Sequence, residues 1–188
     1  MCELPQSATS TVNRLEITQR AGTAAAFLAA GVMGNQDLGL DGYTEQFVLQ
    51  FVALCERVGE EPPDLSTDDL CRIPFELLCF GTFNALLVVR GRRELAEDER
   101  VLFATTLLNR IVEIARPLGG NVHERVREYW TCTDWGQLLT CFSMHAGLAL
   151  LGGWGRGYPT ASLYSASNAP TFPKLAKIAV DAAFCGPA

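Results

Sequence analysis

Cys141 and His145 stand four residues apart, within a run (residues 135–155) that contains no Asp, Glu, Lys or Arg. On a helix that spacing puts a thiol and an imidazole on one face. Such a pair suits a shared zinc ion, or a cysteine nucleophile with its base. Cys132 and His123 lie upstream and extend the same chemistry. Two ligands are too few for zinc, however, and the helix offers no nearby carboxylate. A lone histidine on an apolar face is more often a satisfied core residue. Walker-type, HExxH and GxSxG patterns are absent, so no signature of nucleotide, metalloprotease or hydrolase chemistry supports an active site. The glycine-rich stretch 153–157 follows a helix and not a strand, which argues against a phosphate cradle. These residues point away from an enzyme and imply neither metal nor cofactor.

The chain that must position them has 188 residues, 48% hydrophobic and 19% charged, with a net charge of -6. That suits one globular domain able to bury a core without staples. The acidic balance disfavours nucleic acid, because phosphate contacts need a basic face. The densest basic group is only Arg90-Gly91-Arg92-Arg93. Seven cysteines, an odd number without a CxxC pair, fit reduced thiols in a cytosolic-type compartment.

Apolar residues recur at spacings of three and four, and no period-two strand pattern occurs, so the fold class is all-α. Residues 1–40 read as a leader, loosely ordered or with one short Ala-rich helix. Amphipathic helices follow at 44–58, from Thr67 or Asp68 to 93, and at 98–115, the second broken at Pro74 with a fresh start near Ile73. A charged helix after Asn121 carries Val122, Val126, Tyr129 and Trp130 on its apolar side. The segment 134–151 comes next, charge-free after Asp134 and close to the roughly 20 residues that span a membrane. Its Gln137, Thr140, Ser143 and His145, together with its amphipathic neighbours, instead favour the buried centre of a helical bundle. Residues 152–188 form a Gly/Ser/Pro-rich tail with one short helix at 174–184, leaving 41–151 as the bundle domain.

The order Asp134-Trp135-Gly136-Gln137-Leu138-Leu139, followed by Phe142-Ser143, resembles the first homology motif of the B-cell lymphoma-two (Bcl-2) family of apoptosis regulators. In that family the motif opens the buried central helix. Val126-Arg127-Glu128-Tyr129-Trp130 is similar to the preceding family helix, and 103–111 to the one before it. Residues 45–59 are similar to the family's N-terminal amphipathic helix, so the likeness spans 43–151. Residues 87–92 share the leucine and glycine of the third motif, with Arg92 in place of its acid.

The resemblance implies a Bcl-2-like bundle around a central hydrophobic helix. It implies regulation of apoptosis by holding amphipathic helices of other apoptosis regulators in a hydrophobic groove. Phe103, Leu107, Val126, Tyr129 and Trp135 would line that groove, Gly136 would allow close approach, and Gln137 would be its polar rim contact. It further implies a cytoplasmic protein, peripheral at mitochondrial or other intracellular membranes, that pairs into homo- or heterodimers. Gln137 stands where the family has an arginine, so charge-assisted pairing is lost. Gly152-Gly153-Trp154 follows the central helix at once, and no apolar C-terminal tail follows. Those departures suit a divergent or C-terminally altered form. The alternative is a generic helical adaptor, or a membrane-inserting helical protein, without groove binding.

Overall fold

A computed structural model describes residues 6–34, 42–153 and 157–185, with side chains from Arg14 onward except that of Thr67. Among the described residues eight α-helices run in the order α1 (Gln6–Met33), α2 (Tyr43–Val58), α3 (Thr67–Gly91), α4 (Glu97–Ala115), α5 (Val122–Thr131), α6 (Trp135–Leu151), α7 (Tyr158–Asn168) and α8 (Thr171–Phe184). A 3-10 turn, Arg116–Leu118, joins α4 to α5. Among the described residues there is no strand, and the protein is an all-α bundle.

The apolar helix at its centre is α3, not the segment that begins at Asp134. Every residue from 73 to 86 is buried, and a helix buried around its whole circumference has neighbours on all sides. It packs against α8, α6, α4, α1 and α5. Phe80 is the hub: its ring lies 4.1 Å from Phe142 of α6, 5.2 Å from Phe172 of α8 and 5.3 Å from Tyr129 of α5. The span Asp68–Gly91 is the one helix among the described residues long and apolar enough to cross a membrane, and 78% of its most apolar 18 residues are covered inside the bundle.

Pro74 does not break α3 as the sequence pattern suggests. Its missing N–H leaves only the carbonyl of Leu70 without a helical partner, and Leu70 sits on the exposed first turn where water can serve it. The true start lies at Ser66, whose hydroxyl accepts from Asp69 N–H while the Asp69 carboxylate accepts from Ser66 N–H at 3.1 Å, a reciprocal capping box.

Two regions expected to lie outside the bundle are part of it. From residue 6 onward the leader is a 28-residue helix. Its Ala21, Ala24, Ala25, Leu28 and Val32 are buried, against α4 and α8. Small side chains let these helices approach closely, which compensates for the weak hydrophobic pattern. The tail forms α7 and α8. Tyr164 of α7 donates its hydroxyl to the Phe47 carbonyl at 2.7 Å, and Phe172 of α8 enters the central ring cluster. The charge-free α6 buries Leu138, Phe142, Ala146 and Leu150, while Trp135, Gly136, Gln137 and Thr140 face solvent. It lacks charge because it covers α3 on one side and is covered by α7 on another.

Candidate functional site

The residues expected to form one groove are separated by the fold. Phe103 and Leu107 lie on the inner face of α4, and Val126 and Tyr129 on the inner face of α5, all at 0–2% exposure. Phe103 stacks on Phe184 at 5.5 Å and Tyr129 meets Phe80 edge-on, so these side chains fill the core. Val126 also lines a surface cleft. Trp135, Gly136 and Gln137 form the exposed first turn of α6. There Asp134 accepts the Gln137 N–H at 2.9 Å, and Gln137 Oε1 accepts the Thr133 N–H at 3.0 Å. Gln137 thus closes the helix start; the structure does not bring it to a groove rim beside Phe103.

A groove exists nonetheless, one helix earlier. Two adjoining clefts of about 570 and 520 Å³ share Leu86 of α3, Leu108 of α4 and Trp130 of α5. Val89, Val101 and Ala104 extend the floor at one end and Val126 at the other. Trp130 is half exposed. It is held edge-on to Phe83 at 5.1 Å, with the Arg90 guanidinium 5.9 Å from its ring centre. Arg90 and Arg127 stand at the rim, and among the described residues no ion pair engages either of them. The sequence singled out Trp135, but Trp130 is the tryptophan that shapes a concave surface. The alternation of Val126, Tyr129 and Trp130 gave its helical face without saying that Trp130 lies at the edge of that face.

A second site brings together the residues with which the sequence chemistry began. Cys141 and His145 do share one face of α6, and α5 supplies the carboxylate that α6 lacks: Glu128, Cys141 and His145 offer ligand atoms all within 4.8 Å of one another. Arg125 binds this group to the core. Its Nε lies 2.9 Å from Glu76 of α3, without the alignment of a hydrogen bond, and its Nη1 pairs with Glu128 Oε2. Glu76, Arg125 and His145 open onto a cleft of about 630 Å³ that Arg72, Gly119 and Gly120 also line. Neither His123, which lies at the other groove, nor a strand–loop phosphate cradle takes part.

Electrostatics follow from burial. Desolvation raises the Glu76 carboxyl above its usual range despite the attraction of Arg125. Burial, then the Glu128 charge, push the Cys141 thiol up to about 12. A nucleophilic cysteine needs the opposite shift, so Cys141 at neutral pH is a protonated thiol and no ready attacking group. Partial burial works to raise Glu128, but its hydrogen bond to His145 and the charges of His145 and Arg125 outweigh that and hold it low. Tyr129, whose hydroxyl is fully buried without a hydrogen-bond partner among the described residues, is driven well above its normal value.

No protein-family model, curated protein or solved structure matches the chain.

Proposed function

We propose that this protein binds an amphipathic helix of a partner protein in the groove of α3, α4 and α5. The carrying observation is the apolar floor shared by the two clefts, Leu86 and Leu108 beneath a half-exposed Trp130. A helix presents apolar residues at i, i+3, i+4 and i+7, which fit a floor of this kind. Arg90, Arg100 and Arg127 outnumber Glu97 and Glu124 around the two clefts, which favours an occupant with acidic residues beside its apolar stripe. Arg127 supplies the charge that the family resemblance places at Gln137. Regulation of apoptosis is the role we assign to this binding; it rests on the Trp135-Gly136 resemblance, not on the groove.

Fluorescence titration of a panel of amphipathic helices, including death-motif peptides, tests the reading. Saturable binding is expected, weakened at least tenfold by Trp130→Ala and reversed in charge preference by Arg127→Glu. Gln137→Arg, at a capping position, should leave affinity unchanged. If no acidic amphipathic helix binds, the groove has no such function. If helices bind but death-motif peptides do not stand out, the apoptotic role fails and the helix-binding role remains.

A further inference from the structure

Beyond helix binding, we propose that Glu128, Cys141 and His145 form a site for one divalent transition-metal ion, best matched by zinc. The donor set is the first reason. Carboxylate, thiolate and imidazole are the three ligand types zinc takes in proteins, whereas magnesium and calcium require oxygen alone. The ligands also come from two helices joined by a short turn, so the ion would pin the middle of α6 to the end of α5. Three donors around a tetrahedral ion sit about 3–4 Å apart. The present spacing of up to 4.8 Å needs only side-chain rotation to close.

The second reason is a mismatch at His145. Its Nε2 lies 2.9 Å from Glu128 Oε1 and 2.6 Å from Arg125 Nη1. The carboxylate oxygen requires a hydrogen from that nitrogen, and the guanidinium requires a lone pair from it. One nitrogen cannot supply both. A metal ion removes the conflict, because it takes the Nε2 lone pair and the Oε1 lone pair together once Arg125 Nη1 turns from His145 to Glu128 Oε2 alone. Arg125 keeps its contacts with Glu76 and Glu128 Oε2, and thereby fixes the orientation of the ligating carboxylate, as outer partners of metal ligands do.

Charge fits as well. With Glu76 and Glu128 ionised and Cys141 bound as thiolate, one arginine faces three anionic groups, and a divalent ion neutralises the remainder. Binding replaces the Cys141 S–H bond by a sulfur–metal bond and releases that proton to solvent. No oxidation or reduction occurs. The fourth position falls to solvent, since the Cys132 thiol donates to the Glu128 carbonyl at 3.8 Å. The cleft beside His145 provides the way in.

Cobalt(II) is a direct probe. The full chain, reduced and treated with chelator, is titrated with cobalt(II) while the thiolate-to-cobalt charge-transfer absorption is followed. One cobalt per chain is expected, displaced by one zinc. Cys141→Ser should abolish the charge-transfer band, and His145→Ala and Glu128→Gln should each weaken binding at least tenfold. Cys185→Ser, at an exposed thiol on the far end of α8, should leave the spectrum unchanged. Circular dichroism of each variant establishes that it is folded before its spectrum is compared. Absence of the band in the wild-type chain, or its survival in Cys141→Ser, overturns the site. Peptide binding at the groove is measured separately, so failure here leaves that reading intact.

Discussion

Glu76 is the only charged residue among the fourteen consecutive buried positions 73–86 of α3, and its cost depends on pH. Burial raises its carboxyl above the unfolded value of about 4.3 despite Arg125. Between those two values the folded state holds the proton more tightly than the unfolded state does. Stability from this group is therefore full below about pH 4.3 and is lost as pH rises through the raised folded value. The stability of Glu76→Gln relative to wild type should accordingly improve between pH 4 and pH 8, read from urea midpoints at each pH. A difference that stays flat across that range would mean that Glu76 titrates normally in the fold. The residue was legible in the sequence as a lone acid in an apolar run. Its partner was not, because Arg125 lies almost fifty residues away and only the crossing of α3 and α5 joins them. The same reason hid Glu128 from Cys141 and His145: spacing reveals neighbours on one helix, not across two.

At the scale of elements, the packing of α6 on α7 is set by one glycine. A β-carbon at Gly147 would meet the backbone of Ser162 at 3.2 Å, and backbone cannot turn aside as a side chain can. Gly147→Ala should then cost about 1–3 kcal/mol by pushing α7 away. Gly22 is the control: it too is helical, in α1, but a β-carbon there meets nothing within 4 Å. Gly22→Ala should stabilise by about 0.5–1 kcal/mol through helix propensity. Thermal unfolding of both variants checks the contrast, and equal effects would contradict the close approach. Periodicity located α2, α4, α5 and α6 to within a few residues, since each has a clear apolar stripe. It missed most of α1 and all of α7, where alanine and serine do the packing and carry little hydrophobic signal. It also broke α3 at Pro74, because local preference was weighed without the burial that overrides it.

The whole molecule depends on contacts between distant parts of the chain. α1 packs on α8 and α8 on α3, with Phe172 between Tyr43, Phe80 and Phe142. Phe172→Ala should cost about 3–5 kcal/mol, and a chain cut after Ala169 should lose its cooperative thermal transition altogether. A sharp transition in the cut chain would restore the picture of a bundle domain with a dispensable tail. The all-α class was readable from the absence of strand patterns. The identity of the central helix was not, since both α6 and residues 73–89 of α3 are poor in charge and only the surrounding helices decide which is enclosed.

That enclosure has a consequence for how the protein is made. α3 is synthesised early, but one of its main covers, α8, is the last helix described. At usual elongation rates the most apolar segment waits on the order of ten seconds for that cover to emerge. During that interval a nascent chain presents a helix of membrane-spanning length to whatever reads the ribosome exit. Folding in the cell is then a race between completion of the bundle and capture by chaperone or targeting factors, and slower translation after residue 91 should favour capture.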